Sequence, residues 1–517
     1  MKNSNSTFYT QYSTWLGHAT FVILTIMAFA FFKERTLILD ASLQSFLILR
    51  FNDFAIQVNR FGAAMTQIFP LMASRLGGSL ATILTAYSLG FVLVHWVMFW
   101  ICDRVLKQKA MAFAVVLFNV FMVNNTFFWT QNEVIQAISL GFVFWALLLR
   151  RGSFAAFRWY DFPLMLGILI TLVYFHPLVI FPFAFISIYF FLDYFTKNKT
   201  VLVEERAARN QTSDIRNSAP LSILLILMTI SGFILITLFK NKITPNYYDT
   251  NTSTRIILPH ETLLSFILRL KDVPSFKDFK THLWTDFPLL PLSLWTITAF
   301  YVVKKRYLKL FLVWLSVLSY SLIIMISYRE GGSWFHIESQ YLPMSIFVIM
   351  PLVWELIPEI RDFKFQISNS KNSKSGIWNL ELLKFGIIGI LILSRLIDIY
   401  QTRDFYKKRV EYIGELLEKT KKLEGTKFAV EERLIDKSRL MQTWGFEYES
   451  LYYSALQSPD SMRNIAIFNN KVDLKWQLGP DYTPKAMFTS IFYSDLNQRL
   501  FHQTDTIHPF KFLEEKD

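Results

Sequence analysis

The sequence predicts an all-α polytopic membrane protein with about 11 transmembrane helices, joined to a small α/β or α+β C-terminal domain. Three observations lead to this prediction. Hydrophobic residues make up 53% and charged residues only 18% of the 517 residues, whereas an ordinary soluble protein has roughly 25% charged residues. Apolar runs of spanning length recur up to residue 399. From residue 400 onward charged residues become dense, as in a soluble domain.

The eleven helices are predicted from apolar runs. They lie at about 15–32, 79–101, 110–127, 134–149, 162–176, 178–195, 220–239, 287–303, 308–327, 341–357 and 383–399. The fifth and sixth runs form one stretch that is longer than the ~20 residues of a single crossing. We therefore place a turn at His176-Pro177, because proline breaks a helix.

The basic residues predict the orientation of the helices. Alternate short loops are rich in Lys and Arg, as at Lys304-Lys305-Arg306, and loops of this kind stay in the cytoplasm. The N-terminus is then cytoplasmic, in a plasma membrane or bacterial inner membrane. A transmembrane module of residues 1–399 would have its longer loops outside. The extracytoplasmic segments are residues 33–78, 240–286, 328–340 and the domain 400–517.

The net charge and the single cysteine exclude some functions. The formal charge of +13 is explained by cytoplasmic loops and anionic lipid, so no nucleic-acid partner is predicted. Cys102 alone provides neither a disulfide framework nor a cysteine-based metal site. The partner that composition does predict is the lipid bilayer.

The C-terminal segment has the patterns of a folded domain. Helical periodicity is present at 403–423 and 447–457, and short apolar runs at 427–430 and 464–468 are typical of strands. No glycine-rich nucleotide loop or G-x-S-x-G motif occurs in it.

The first outer loop, 33–78, holds candidate catalytic residues. Asp40 follows the first helix closely, and Asp53 and Arg60 lie farther along among apolar residues at helical spacing. This spacing is typical of helices that lie on a membrane surface. Arg50 and Arg75 share the same pattern.

The late outer loop, from Tyr328 to Pro343, holds a second group of candidates. Arg329 and His336 are cations that could contact a phosphate, while Glu338 could accept a proton. Six of the eight histidines fall on the predicted outer side. They are His176, His260, His282, His336, His502 and His508.

No sequence motif marks a metal site. There is no H-E-x-x-H pattern, and no cofactor is predicted with certainty. Mg²⁺ or Mn²⁺ remains an open alternative, since hard cations need few protein carboxylates when phosphate supplies other oxygens.

These features together resemble the GT-C class of polyprenyl-phosphate-dependent membrane glycosyltransferases, similar to the protein mannosyltransferase and aminoarabinose transferase group. The features are Asp40 in a long first outer loop, many spans, Tyr341-Leu342-Pro343 before a late span, and an extracytoplasmic C-terminal domain. The resemblance implies that Asp40 is the base or a metal ligand and that Tyr341-Leu342-Pro343 approaches the lipid phosphate. Two departures are Ala41, where a second acid is expected, and Gln340, where a basic residue is expected.

The resemblance implies transfer of a sugar from a polyprenyl-phosphate donor to a lipid, glycan or protein acceptor in the cell envelope. The candidate catalytic residues are Asp40, Asp53 and Glu338. The candidate residues for the substrate and the lipid phosphate are Arg60, His176, His260, Arg329, His336, Gln340 and Tyr341.

Three other functions remain open from the sequence. One is an O-antigen polymerase or ligase, although such proteins lack a soluble C-terminal domain of this size. Another is a transporter or flippase for lipid-linked glycans, although few charged residues lie at mid-membrane depth and no inverted repeat is evident. The third is a membrane scaffold that displays the C-terminal domain.

Overall fold

The computed structural model describes most of the chain from residue 12 to residue 513. The segments outside the described residues are 1–11, 153–155, 208–221, 246–257, 259–260, 333, 360–374, 441, 469–481, 487–488, 493–495, 503–510 and 514–517.

Helices dominate the described residues. The first ten helices are α1 (Ser13–Ala30), α2 (Phe32–Thr36), α3 (Leu39–Phe51), α4 (Ala64–Arg75), α5 (Leu80–Trp100), α6 (Lys109–Phe118), α7 (Glu133–Arg151), α8 (Asp161–Val173), α9 (Ile180–Ala207) and α10 (Ile223–Ile243). The next seven are α11 (Leu263–Leu268), α12 (Pro274–Thr285), α13 (Leu289–Val303), α14 (Tyr307–Ser327), α15 (Trp334–Tyr341), α16 (Ser345–Pro351) and α17 (Ile357–Glu359).

Seven of these helical segments are long and apolar enough to cross a membrane, so the chain is a helical integral membrane protein. The seven segments are Ser13–Ala30, Leu80–Val105, Glu133–Arg151, Pro177–Phe195, Ile223–Ile243, Tyr307–Ser327 and His336–Glu359. An eighth is present if α12 and α13, which meet at 82°, form one broken span. Within the described residues, this number is smaller than the eleven that the sequence predicts.

The difference in number arises where apolar runs are interrupted. The predicted span 110–127 becomes the ten-residue helix α6, which ends at Phe118. Turns and a short 3-10 helix, Asn125–Phe128, follow it up to Asn132. The break predicted at His176-Pro177 is confirmed, because α8 ends at Val173 and His176 has an extended backbone with φ −155°.

The predicted run 383–399 lies inside one long helix, α18 (Ser375–Thr420), which continues through the predicted domain boundary at residue 400. The remaining helices and strands are β1 (Lys427–Glu431), α19 (Lys437–Leu440), α20 (Phe446–Gln457), β2 (Asn464–Phe468), β3 (Tyr482–Ala486), β4 (Thr489–Phe492) and β5 (Lys511–Leu513).

The strands predicted at 427–430 and 464–468 are confirmed as β1 and β2, and the helix predicted at 447–457 is confirmed as α20. β1 is the central strand of a parallel sheet with the order β2-β1-β5, while β3 and β4 pair antiparallel. A buried cluster under β1 joins this sheet to the last turns of α18.

Helix α20 packs against α3 of the first loop. The rings of Phe46 and Tyr448 lie 5.1 Å apart between their centroids, within an apolar cluster that also includes Leu43 and Leu451. Burial of these side chains stabilises the contact by the hydrophobic effect. The helix that begins beside Asp40 is therefore held by the C-terminal segment.

Candidate functional site

Asp40 is the second residue of α3, and residues of the C-terminal segment hold the backbone of its neighbour Leu39. Leu39 has a left-handed φ of +36°, which is uncommon for a residue with a side chain. The main-chain nitrogen of Leu39 donates a hydrogen bond to Oε1 of Glu449 at 2.6 Å. Gly445 also lies close, since a Cβ at that position would stand 2.7 Å from the Leu39 Cα. Helix α20 and the residue before it thus hold an unusual backbone conformation next to Asp40.

The Asp40 carboxyl is half-buried, and its pKa is raised to about 7. Burial contributes most to this rise, because a charged carboxylate loses solvation there. The negative charge of Glu133 raises the pKa further, whereas a hydrogen bond from Gln131 and the positive charge of Arg60 oppose the rise. Asp40 can therefore gain and lose a proton near neutral pH.

Glu133 is a second acidic residue of the site that the sequence analysis missed. It is the first residue of α7, directly after the capping residue Asn132, whose side chain accepts hydrogen bonds from two main-chain nitrogens of that helix. Its carboxylate lies 3.6 Å from Nη1 of Arg60, with side-chain exposures of 15% and 11% respectively. The helix N-terminus and Arg60 both stabilise negative charge on Glu133.

The loop between α6 and α7 carries Gln131 to the site, and Glu338 anchors this loop. Glu338 accepts hydrogen bonds from the main-chain nitrogens of Asn124, Asn125 and Thr126 at 2.9, 3.1 and 2.9 Å. It also accepts bonds from the side chains of Asn125 and Thr126. Because five donors occupy its two oxygens, the contacts of Glu338 position the 124–126 segment.

Arg395 fixes the same loop from helix α18. Its guanidinium is buried and donates to the carbonyl oxygen of Val123 and to Oδ1 of Asn124. Tyr406 contributes a further hydrogen bond to Asn125. The irregular segment after α6 is thus satisfied by side chains from two other parts of the chain.

His176 contributes a neutral imidazole beside the cations of the site. Its pKa lies well below the ordinary value because of burial and then because of the positive charges of Arg60, Lys240 and His336. Its Nδ1 accepts a hydrogen bond from the Leu178 main-chain nitrogen at 3.2 Å. The proton of the neutral ring therefore resides on Nε2, where it can be donated to a ligand.

His336 and Lys240 complete this side of the site. Nε2 of His336 lies 3.0 Å from the Tyr328 hydroxyl, and its ring packs edge-on to Trp129 with 5.5 Å between centroids. Lys240 is buried and donates to the carbonyl of Val173 at 3.1 Å. Lys240 is the first residue of the predicted extracytoplasmic segment 240–286.

Three residues predicted for the site have other surroundings. Asp53 is exposed, and its Oδ1 accepts a bond from the neighbouring main-chain nitrogen of Phe54. Arg329 lies 3.7 Å from the exposed Glu330. The side chain of Gln340 donates to its neighbour Ser339. None of these contacts joins them to Asp40.

Tyr341 is buried, and its ring stacks on Phe279 at 4.3 Å. Its hydroxyl has no hydrogen-bond partner among the described residues. His260 lies outside the described residues. Of the predicted substrate residues, the structure therefore brings Arg60, His176 and His336 into one electrostatically coupled group with Asp40.

A buried polar network lies beneath Asp40 and fixes α3. Gln44 Oε1 accepts hydrogen bonds from the Tyr87 hydroxyl at 2.9 Å and from Gln67 Nε2 at 3.1 Å. Gln67 also bonds to both polar main-chain atoms of Ala55. This network ties α3 to α4 and α5, so the orientation of the helix that carries Asp40 is specified by directional bonds.

The residues near Asp40 carry oxygen atoms of the kinds that hard divalent cations accept as ligands. Among the described residues, no group of three or more His, Cys, Asp or Glu side chains has the spacing of a metal site. Asp40 and Glu133 nevertheless supply two carboxylates, and among the described residues Oε1 of Gln131 is buried without a hydrogen-bond partner. Carboxylate and amide oxygens are ligands that Mg²⁺ and Mn²⁺ accept.

The fold defines a helical integral membrane protein. Its candidate site contains the Asp40 carboxyl group, whose pKa is about 7, a second carboxylate, and a group of cations and imidazoles. Comparison with known protein families, with curated proteins and with solved structures finds no match. The function is therefore inferred from the chemistry of these residues.

Proposed function

We propose that the protein is a membrane glycosyltransferase of the GT-C type, which moves a sugar from a polyprenyl-phosphate donor to an acceptor outside the cytoplasm. The observation that carries this proposal is the grouping of Asp40, whose pKa is about 7, with the Arg60–Glu133 ion pair and the imidazole of His176. A general base is most effective when its pKa lies near the working pH. The neighbouring cations suit the phosphate of such a donor.

The reaction requires one proton transfer and one substitution at the sugar. The acceptor oxygen forms a bond to the anomeric carbon, and the bond from that carbon to the phosphate oxygen breaks. The electron pair of the broken bond leaves with the phosphate, and the ionised Asp40 takes the acceptor proton. Because Glu133 pairs with Arg60, the two carboxylates have different surroundings and can have different roles.

The cationic side of the site would stabilise the departing phosphate. Arg60 and Lys240 supply fixed positive charge, and Nε2 of His176 supplies a hydrogen-bond donor. Bound Mg²⁺ or Mn²⁺ would supply further positive charge, and Asp40, Glu133 and Gln131 are the residues that would hold it. Charge stabilisation by groups already in position is commonly the largest contribution to catalysis.

The proposed location follows from the donor and from the basic loops. A polyprenyl carrier keeps its phosphate at the membrane surface, and Asp40 is the second residue of a helix that follows the first span closely. The basic loop Lys304-Lys305-Arg306 supports a cytoplasmic position for its own end of the helix bundle, which is the end opposite Asp40 in the predicted orientation. We place the site on the extracytoplasmic side of a plasma membrane or bacterial inner membrane.

The test is transfer by the purified protein in liposomes that contain radiolabelled polyprenyl-phosphosugars and candidate acceptors. A glycosyltransferase releases the label from the lipid carrier and produces unglycosylated polyprenyl phosphate. A flippase moves the labelled lipid to the other leaflet without cleaving it. Movement without cleavage, or no release with any donor and acceptor pair, would contradict the proposal.

A further inference from the structure

A cleft with three arginines lies between the first loop and the C-terminal segment, and its volume is about 700 Å³. We propose that this cleft binds the phosphate of an anionic membrane lipid headgroup. Its polar lining consists of Arg50, Asn52, Ser74, Arg75, Asn497 and Arg499. None of these residues belongs to the group around Asp40, so the proposal does not depend on the proposed transfer reaction.

Two of the arginines are held in place by neutral groups. Nη2 of Arg75 donates to the carbonyl oxygen of Asn52 at 2.9 Å, and Nη2 of Arg499 donates to the carbonyl oxygen of Ser74 at 3.1 Å. A guanidinium has five N–H donors, so each of these contacts leaves donors for a ligand. A carbonyl partner orients the guanidinium without cancelling its charge.

The cleft lies close in sequence to the start of a membrane-spanning helix. Gly77 lines the cleft, and the membrane-spanning helix α5 begins three residues later, at Leu80. Three residues of extended chain span roughly 10 Å at most. The headgroup layer lies just outside the hydrocarbon core and has a similar thickness. The cleft therefore lies just beyond the predicted extracytoplasmic end of a membrane-spanning helix.

Exposed apolar side chains next to the cleft favour a lipid over a soluble phosphate compound. Phe51 is 61% exposed and Leu76 is 80% exposed, and each is adjacent in sequence to one of the arginines. Met72, one turn earlier on α4, is also exposed. Large exposed apolar groups beside cations are typical of surfaces that insert among acyl chains while the cations contact headgroups.

Arginine suits this ligand by geometry as well as by charge. Its planar fork of N–H groups matches two phosphate oxygens. The lining residues that the structure describes contain three such groups and no carboxylate. An anionic headgroup should therefore be preferred over a zwitterionic one, whose ammonium group the arginines would repel.

The experiment is native mass spectrometry of the detergent-solubilised protein in an equal mixture of phosphatidylglycerol and phosphatidylcholine. The wild type should retain phosphatidylglycerol in preference. Arg50→Gln alone, which leaves both carbonyl contacts intact, should lower this preference about fivefold. The triple change Arg50→Gln, Arg75→Gln and Arg499→Gln should lower it about a hundredfold, since each cation near anionic lipid contributes a similar factor.

A matched control removes three exposed arginines elsewhere, at Arg104, Arg269 and Arg433, and should keep the preference. Equal losses in the control and in the cleft variants would overturn the proposal, as would an unchanged preference in the folded Arg50→Gln protein. A second arm adds excess inorganic phosphate. If phosphate displaces the lipid completely and binds with the same dependence on the arginines, the ligand is a soluble phosphate compound and the lipid assignment fails.

Discussion

Glu449 accepts a hydrogen bond at 2.6 Å from the main-chain nitrogen of Leu39, the residue immediately before Asp40. The same carboxylate binds the guanidinium of Arg409 with distances of 2.7 to 3.0 Å, and both side chains are almost completely buried. Helix α18 supplies Arg409 and α20 supplies Glu449, so the C-terminal segment takes part in positioning the proposed base.

The buried pair gives a prediction about positioning. Glu449→Met alone leaves Arg409 buried and unpaired and should lower the free energy of unfolding by about 3–5 kcal/mol. The double change Arg409→Met and Glu449→Met removes both charges and should recover most of that stability. Because Leu39 still lacks its acceptor, we expect kcat of the double variant to fall roughly ten- to hundred-fold.

Separate measurements of kcat, KM and stability distinguish a positioning role of Glu449 from a role in stability alone. Chemical denaturation measures stability, and transfer of radiolabel measures both kinetic constants. A double variant that is stable and has wild-type kcat would contradict the positioning role of Glu449.

The pKa of Asp40 gives a prediction about pH. A base must be ionised, so kcat/KM should rise with pH and level off above about 7. Glu133→Gln removes a negative charge that raises the pKa of Asp40, and the rising limb should therefore move to lower pH. Normalised pH profiles of the two proteins test this. A shift to higher pH, or no shift, would show that Glu133 does not act on the titrating group.

The same raised pKa gives a prediction about stability. In the unfolded chain Asp40 titrates near 3.9, whereas in the fold its pKa is about 7. The folded state therefore binds more protons in this window, and Asp40 makes the protein less stable as pH rises from about 4 to about 7. Asp40→Asn should then raise Tm relative to the wild type, and the gain should be larger at pH 8 than at pH 5. A gain that is larger at pH 5 would contradict the raised pKa.

Glu338 gives a prediction that separates an anchor from a catalyst. Glu338→Gln keeps the shape of the side chain but replaces one acceptor oxygen by a donor, which faces main-chain nitrogens of the 124–126 segment. Each buried donor left without a partner costs about 1–3 kcal/mol. We expect Tm and kcat to fall together, without any change in the pH at which the profile rises. Loss of kcat with an unchanged Tm would instead support the catalytic role that the sequence suggested.

Asp40 was singled out from the sequence because the resemblance to the GT-C class draws attention to an acidic residue early in the first outer loop, and its catalytic role stays a prediction. Glu133 was missed because it begins an apolar helix and was treated as the edge of a span. The sequence does contain a pattern that marks the start of this helix, because Asn132 is a capping residue and Glu133 is an acid in the first helical turn. Glu338 shows the opposite case, since only coordinates reveal that five donors from a distant loop occupy its oxygens.

The described residues contain fewer spans than the sequence predicts, for a related reason. Hydropathy is averaged over a whole run, so a few asparagines hardly lower it. The run 110–127 was therefore predicted to be a span although Asn119, Asn124 and Asn125 lie within it. In the structure these residues occupy the end of α6 and the irregular segment after it. Their backbone is stabilised by Glu338 and Arg395, and such contacts over long sequence separations cannot be inferred from local pattern.

The most direct test of the central claim is the rate of sugar transfer by Asp40→Asn beside its matched control Asp53→Asn, an exposed acid of the same loop. If Asp40 is the base, Asp40→Asn should lower kcat about 10²- to 10⁴-fold while the protein stays folded, and Asp53→Asn should keep kcat within about twofold of the wild type. Wild-type transfer by a folded Asp40→Asn protein would contradict the claim.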